Sequence, residues 1–141
     1  MFRFETKIRV RYGEVDQMGY VYYGTYALYY EIVRVESFRH LGVTYKEIEE
    51  AGFLMPVLES QSKFIGPASY DEELKIVTSM REKPRVKIKF DYEIYTQDND
   101  LIHTGETVLA FVDKVTRKPC KPPEILQKVL QPYFDFKIRE N

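Results

Sequence analysis

Residues 22–41 constrain the fold more than any other part of the sequence. Their apolar side chains recur at helical spacing, and one stripe of this helix would hold Tyr26, Tyr30 and Val33. The other faces of its first half are also mostly apolar, since charged side chains appear only from Glu31 onward. A helix that is apolar nearly all round is normally covered by protein on every side. We therefore predict one long central helix that is surrounded by protein.

The segments on either side of this helix alternate apolar and polar side chains, as half-buried strands do. An N-terminal strand places Phe2, Phe4 and Ile8 on one face and charged residues on the other. After the long helix, Thr44 and Glu47 form the capping box of a short second helix that ends at residue 52. Four further strands are predicted at residues 54–64, 74–80, 86–94 and 101–112, and a last short helix at residues 124–130.

Short connections between consecutive strands favour antiparallel pairing of strands that follow one another in sequence. One long helix can cover only one face of such a sheet. The sequence therefore predicts an α+β fold, in which a curved antiparallel five-stranded sheet wraps around the central helix, as a single domain over residues 1–141. Because few charges lie at the predicted sheet edge, we also expect a homo-oligomer.

Composition excludes several classes of function. A net charge of −1 over 141 residues argues against a general nucleic-acid binder or membrane-surface binder. One cysteine cannot build a disulfide framework or a cysteine metal site. No apolar run approaches the roughly 18 residues that a membrane span needs, and the first ten residues do not resemble a signal peptide. We expect a cytoplasmic protein without a metal centre.

Common catalytic motifs do not explain the sequence either. No serine lies in a G-x-S-x-G elbow, and the glycines near the N-terminus match neither a dinucleotide fingerprint nor a P-loop. His40 fits the C-terminal turn of the long helix, where a cation is favourable. His103 stands alone at the start of a strand, and two histidines so far apart do not form a metal-ligand pattern.

The loop in front of the long helix, YGEVDQMGYVYYGTY, carries the clearest chemical hypothesis. A helix N-terminus presents unpaired N–H groups and a partial positive charge, which can polarise a carbonyl and stabilise an oxyanion. Asp16 lies six residues before Tyr22, and Gly19 allows the chain to fold back toward the helix. This combination suits acyl transfer. The alternative is that Asp16 only forms an Asx turn in a polar loop.

The segment RVRYGEVDQMGYVYYGTYALYYEIVRVE resembles the start of the hotdog-fold acyl-CoA thioesterases, in the branch that includes 4-hydroxybenzoyl-CoA thioesterase. The second and third matching segments are GPASYDEELKI, at residues 66–76, and VDKVTRKP, at residues 112–119. The resemblance extends over about residues 7–130. It implies a hotdog fold and hydrolysis of acyl- or aroyl-CoA to free acid and CoA, without a cofactor.

The resemblance also implies roles for individual residues. Asp16 would be the catalytic carboxylate, as general base or nucleophile, and the backbone N–H of Tyr23 would polarise the thioester carbonyl. Gly19, Tyr22 and Tyr26 would contact the substrate. The basic residues that would hold the phosphates of CoA are Lys83, Arg85, Lys87, Arg117 and Lys118. Family active sites lie at a dimer interface, and such dimers often pair into tetramers.

One departure from the family keeps other functions open. Many relatives carry histidine at the position of Tyr23, and a tyrosine, with a pKa of about 10, cannot shuttle protons at neutral pH. The chain could therefore be a non-catalytic acyl-CoA-binding hotdog protein. A hotdog dehydratase would need a histidine beside the acid, and neither His40 nor His103 is suitably placed. A cystatin-like binding module would give Asp16 no special role.

Overall fold

The computed structural model describes residues 1–134, and the last seven residues of the predicted domain lie outside that range. The strands are β1 (Phe2–Arg9), β2 (Phe53–Leu54), β3 (Val57–Phe64), β4 (Glu73–Met80), β5 (Lys87–Thr96), β6 (Leu101–Ala110) and β7 (Val112–Asp113). The helices are α1 (Thr25–Leu41), α2 (Tyr45–Glu50) and α3 (Glu124–Phe134), and a 3-10 turn at Tyr12–Glu14 follows β1.

Five strands form one antiparallel sheet in the order β1-β4-β5-β6-β3, and β2 pairs with β7 in a separate two-stranded ribbon. The predicted α+β fold with a five-stranded sheet and one long helix is confirmed. The expectation that strands consecutive in sequence pair with each other is wrong for β3 and β4. β3 pairs with β6 at one edge of the sheet. Residues 65–72 then carry the chain away from β6 to the start of β4. This connection runs past the loop before α1, where Val21 N–H donates to the Ala68 carbonyl at 2.8 Å.

Helix α1 packs on the inner face of the sheet through a row of aromatic rings. Tyr30 stacks on Tyr92 of β5 with ring centroids 4.1 Å apart. About two turns farther along α1, the ring centroid of Phe38 lies 5.9 Å from that of Phe90 in β5. The opposite side of α1 is open, since Leu28 is 55% exposed and Ile32 is 37% exposed. In a single chain the sheet covers one side of this helix, so the expectation that protein surrounds it is met on that side only.

Several element boundaries differ from those predicted. α1 begins three residues later, at Thr25, because the N–H groups of Thr25 and Tyr26 bond to the carbonyls of Tyr22 and Tyr23 in a preceding turn. The predicted strand 54–64 is interrupted at Pro56, which has no N–H to donate to a ladder. The predicted strand 101–112 likewise ends at residue 110, and Val112–Asp113 turns away to pair with β2.

The last helix is longer than predicted and continues through Pro132 to residue 134. Its final turn is anchored to β1, because the Tyr133 ring packs edge-on against Phe2 at 5.0 Å. The α-amino group of Met1 also donates to the Tyr133 carbonyl at 2.6 Å. The capping box of α2 is confirmed, with Thr44 Oγ1 accepting from the N–H of Glu47 at 3.1 Å.

Gly105 of β6 allows the close approach of α1 to the sheet. A Cβ at this position would lie 2.6 Å from Cζ of Tyr30 and 3.0 Å from the carbonyl oxygen of Gln61. Both distances are shorter than van der Waals contact, and the phenol of Tyr30 is enclosed in the core. Any side chain at position 105 would therefore push the helix away from the sheet.

We expect Gly105→Ala to lower the free energy of unfolding by about 1–3 kcal/mol, the usual effect of overpacking a core. Urea denaturation followed by circular dichroism measures this difference. Gly13→Ala is the matched control, because nothing lies within 4 Å of a Cβ at Gly13. Equal midpoints for the two variants would contradict the packing constraint.

Candidate active site

The loop that precedes α1 is closed by its own hydrogen bonds. Asp16 N–H donates to the carbonyl of Tyr20 at 2.8 Å, and Gly19 N–H donates to the carbonyl of Asp16 at 2.9 Å. Gly19 adopts a φ of +82°, a conformation that costs glycine little and other residues more. The loop is thus a compact hairpin, with Val15 bridged to Val21 at its base.

The Asp16 side chain forms the Asx turn that the sequence left open. Its Oδ1 accepts from the N–H of Met18 at 2.9 Å, and the residue is half-buried. Within residues 1–134, Oδ2 does not accept a hydrogen bond from any other group. One carboxylate oxygen therefore orients the side chain, and the other is available to a ligand.

The turn between this loop and α1 presents backbone donors. Tyr22 N–H donates to the carbonyl of Glu14 at 2.9 Å, which ties the turn to the 3-10 helix. The N–H groups of Tyr23 and Gly24 do not have an acceptor anywhere in the described part of the chain. They lie in the turn that leads directly into Thr25, the first residue of α1. Such groups, at the positive end of a helix, can bind a carbonyl oxygen or an anion.

The tyrosines assigned to the substrate lie in two different environments. The rings of Tyr22 and Tyr23 contact each other at 4.8 Å and are largely exposed. Tyr26 is buried in the first turn of α1, where its ring stacks on His103 at 4.1 Å and meets Phe64 at 5.5 Å. Burial raises the pKa of Tyr26 to about 12, so its phenol stays neutral. Tyr26 thus forms core packing immediately beneath the turn.

Glu14 serves the structure of the loop. Its Oε1 accepts from the Tyr29 hydroxyl at 2.9 Å and from the N–H of Arg11 at 2.8 Å. Burial and this carboxylate both raise the pKa of Tyr29, so the phenol remains a donor at every physiological pH. Glu14 therefore clamps the 3-10 helix to α1 and fixes the direction in which the Asp16 loop leaves it.

The patterns in the sequence did not predict a buried polar cluster that lies beside Tyr26. His103 is fully buried, and its Nε2 lies 2.5 Å from the hydroxyl of Tyr30, which in turn lies 2.7 Å from Oγ of Ser62. The interpretation of His103 as an isolated residue is therefore wrong. The alternation along β6 indicated that His103 faces inward with Gly105, but its partners on α1 and β3 are distant in sequence.

The five basic residues assigned to CoA cluster at the opposite end of the sheet from Asp16. One group lies at the connection between β4 and β5, the other in the turn after β7, and Phe111 N–H joins the two segments by donating to the Val86 carbonyl at 2.9 Å. The Asp16 loop instead contacts the segment that precedes β4, through the bridge between Tyr20 and Ser69. All five basic side chains are exposed: Lys83, Arg85, Lys87, Arg117 and Lys118.

The part of the chain that the structure describes does not contain three or more His, Cys, Asp or Glu residues grouped to hold a metal ion. Its helices are all too short or too polar to cross a membrane. Neither His40, at the end of α1, nor His103, in the core, contacts Asp16.

Residues 10–130 match the family model of the thioesterase-like superfamily. The chain belongs to this superfamily. It is 32% identical over 115 residues to YneP of Bacillus subtilis, covering 82% of this chain and 83% of that protein. It is 26% identical over 121 residues to the acyl-CoA thioester hydrolase YbgC of Escherichia coli O6:H1, covering 86% of this chain and 90% of YbgC.

Solved structures of the superfamily share the fold. A DHNA-CoA thioesterase from Staphylococcus aureus is 30% identical with a TM-score of 0.82, over 96% of this chain and 85% of that one. The protein TT1821 from Thermus thermophilus is 29% identical with a TM-score of 0.85, over 93% and 97% of the two chains. The predicted hotdog fold and acyl-CoA thioesterase family are confirmed, and with them the class of enzyme, a thioester hydrolase.

His103 should make this superfamily member sensitive to acid. Burial lowers the pKa of His103 to about 4, below its ordinary value of 6.5. The unfolded chain therefore binds an extra proton between these values, and stability falls as the pH drops from 6.5 to 4. The full effect is about 3 kcal/mol.

We expect His103→Gln to lose this component of the pH dependence, measured by urea denaturation between pH 7 and pH 4. His40→Gln is the control, because His40 is exposed at the end of α1. An unchanged slope in His103→Gln would show that folding does not lower the pKa of His103.

Proposed function

We propose that the chain hydrolyses acyl-CoA or aroyl-CoA thioesters to the free acid and CoA. Membership of the thioesterase-like superfamily over residues 10–130 is the observation that carries this proposal. The loop before α1 supports it, because a carboxylate and free backbone donors lie in the same short segment, residues 16–24. We propose Asp16 and the N–H of Tyr23 as the catalytic groups.

The Tyr23 N–H, and the Gly24 N–H beside it, would bind the thioester carbonyl oxygen. Hydrogen bonds from these groups withdraw charge from the carbonyl and strengthen as the oxyanion forms. The partial positive charge at the start of α1 acts in the same direction. Because these donors belong to the backbone, the replacement of a histidine by Tyr23 does not remove them.

Asp16 would act in one of two ways. It takes a proton from water, whose oxygen then attacks the carbonyl carbon, or it attacks that carbon itself and forms a mixed anhydride that water hydrolyses to the free acid. Collapse of the tetrahedral intermediate breaks the C–S bond, and CoA leaves as a thiolate that takes up a proton. A thiol with a pKa of about 8.5 is a good leaving group and needs little help from an acid. One carboxylate and one or two oxyanion donors are therefore sufficient for the reaction.

A second subunit would bring the CoA-binding residues to this site. All eight residues of β3 are exposed, and among residues 1–134 β3 pairs on one side only, with β6. The unpaired N–H and C=O groups of such an edge can form hydrogen bonds with the same strand of another copy. Antiparallel pairing of two β3 strands reverses one sheet relative to the other. The basic end of the partner would then lie beside Asp16 of the first subunit.

We expect Asp16→Asn to lower kcat by about 10²–10⁴-fold, the usual contribution of a general base. The asparagine oxygen can still accept from Met18 N–H, so the loop should keep its shape while the charge is lost. The measurement is free-thiol release from a panel of acyl- and aroyl-CoA substrates. Asp98→Asn, in the exposed turn between β5 and β6, is the control.

Two results would overturn parts of this proposal. Turnover unaffected by Asp16→Asn would remove Asp16 from the chemistry. No turnover by the wild type, together with thermal stabilisation by an unconsumed acyl-CoA, would favour the non-catalytic binding protein. The dehydratase alternative has no support from the geometry, because His40 and His103 both lie away from Asp16.

The shared site predicts complementation between subunits. A chain with Lys83, Arg85 and Lys87 changed to alanine should bind CoA thioesters poorly, and Asp16→Asn should bind them without turnover. Co-expressed mixed dimers should regain one intact site, with low KM and about half of the wild-type kcat. Light scattering should give a mass of two or four times 16.8 kDa. A monomer, or mixed dimers without regained activity, would contradict the shared site.

A further inference from the structure

A chain of hydrogen bonds runs from the core of the protein to the open edge of the sheet. It starts at Nε2 of His103, passes through the hydroxyl of Tyr30 at 2.5 Å, and ends at Oγ of Ser62, 2.7 Å farther on. His103 and Tyr30 are 0% and 1% exposed, whereas Ser62 is exposed on β3. The outer hydroxyl therefore lies on the side of β3 that faces α1, where an acyl group held between two subunits of the proposed dimer would meet it.

The direction of these hydrogen bonds follows from the second nitrogen of His103. Its Nδ1 is buried and lacks a partner within residues 1–134. Buried N–H groups without an acceptor are rarer than unsatisfied acceptors, since the lost hydrogen bond is costly. The hydrogen of the neutral ring therefore belongs on Nε2, and burial, which lowers the pKa of His103 to about 4, keeps the ring neutral.

With the hydrogen on Nε2, both hydrogen bonds of the series are donated outward, toward Ser62. Nε2–H of His103 donates to the Tyr30 oxygen, so the Tyr30 hydroxyl donates to Ser62 Oγ. Ser62 then accepts from the protein side, and its own hydrogen is directed away from Tyr30. The cluster thus presents a hydrogen-bond donor at the sheet edge, and hydrogen bonds in such a chain polarise one another.

Ser62 contacts α1 at Tyr30, about two turns beyond the proposed oxyanion donors. Tyr30 is seven residues after Tyr23, which is about 10 Å along the axis at 1.5 Å per residue. Phe64, two residues after Ser62 on the same face of β3, contacts Tyr26 in the first turn of α1. An acyl group that starts at the turn and follows α1 beside β3 would therefore reach the Ser62 hydroxyl.

We propose that the Ser62 hydroxyl donates a hydrogen bond to an oxygen of the substrate acyl group, about 10 Å from the thioester carbon along α1. This inference rests on the proposed thioesterase function and adds a second polar recognition point to its site. The ligand class is an acyl-CoA with a hydroxyl, carbonyl or ether oxygen distant from the thioester. Ser62 is a specificity-determining residue, and Tyr30 and His103 are positioning residues.

The first test compares ω-hydroxyacyl-CoAs with plain acyl-CoAs of the same chain lengths. We expect the wild type to prefer the ω-hydroxy substrate about tenfold in kcat/KM at one chain length, as one added hydrogen bond allows. Ser62→Ala should lose this preference. Ser60→Ala, on the same strand and face, should keep it. Because each ratio is taken within one variant, changes in folding or in Asp16 chemistry cancel.

A binding measurement tests the role of Ser62 if the protein lacks thioesterase activity. If the wild type does not hydrolyse either series, the same substrate pairs can be ranked by the shift in Tm that each produces. A larger shift with the ω-hydroxy compounds that disappears in Ser62→Ala supports the recognition point without catalysis. Equal ratios of kcat/KM, or equal Tm shifts, in the wild type and Ser62→Ala would overturn it.

The second test determines the direction of the hydrogen bonds between His103, Tyr30 and Ser62 without any substrate. The protein has two histidines, so His40→Gln assigns their signals in ¹⁵N-labelled protein. We expect the hydrogen of His103 on Nε2 at neutral pH, and a changed Nε2 signal in Tyr30→Phe. A hydrogen on Nδ1 would reverse the direction of both hydrogen bonds. Ser62 would then lack the proposed orientation, and the inference would be overturned.

Discussion

The packing of α1 into the sheet fixes the position of every other functional feature. Rings of α1 meet rings of β5 and β6 at 4.1 Å in two places, between Tyr30 and Tyr92 and between Tyr26 and His103. Stacking this close is possible only because Gly105 leaves room for the phenol of Tyr30. The helix cannot slide or rotate without breaking these contacts. Its N-terminal turn, and the donors in that turn, are therefore held rigidly against the sheet.

The same packing requires that polar groups in the core satisfy one another. Arg34 donates to the hydroxyl of Tyr92 at 3.0 Å and to that of Tyr45 at 3.3 Å, and Tyr92 also contacts Thr107. These phenols offset the desolvation of the guanidinium, and the pKa of Arg34 is raised overall. Buried polar groups that are fully paired favour one register of helix against sheet, since any other register leaves them unpaired.

Local patterns in the sequence predicted most elements but not their neighbours. Alternation located β1, β4, β5 and β6, because it records which face of a strand is buried. It carries no information about which strand lies alongside, so the pairing of β3 with β6 was missed. His103 was missed for the same reason, since its partner Tyr30 is 73 residues away. For Asp16, the Asx turn is observed, and the catalytic role stays a prediction that this turn does not exclude, because the turn occupies only one of the two carboxylate oxygens.

A single chain leaves three features incomplete, and one symmetric partner would complete all of them. The outer side of α1 exposes Leu28 and Ile32, β3 lacks a neighbour on one side within the described part of the chain, and the basic residues lie at the far end of the sheet from Asp16. Burying apolar side chains of α1 and pairing the β3 edge would stabilise a dimer. A two-fold axis that paired these edges, as in the proposed dimer, would also reverse the sheet and would bring the carboxylate of one subunit to the cations of the other. Catalysis and assembly would then depend on the same strand.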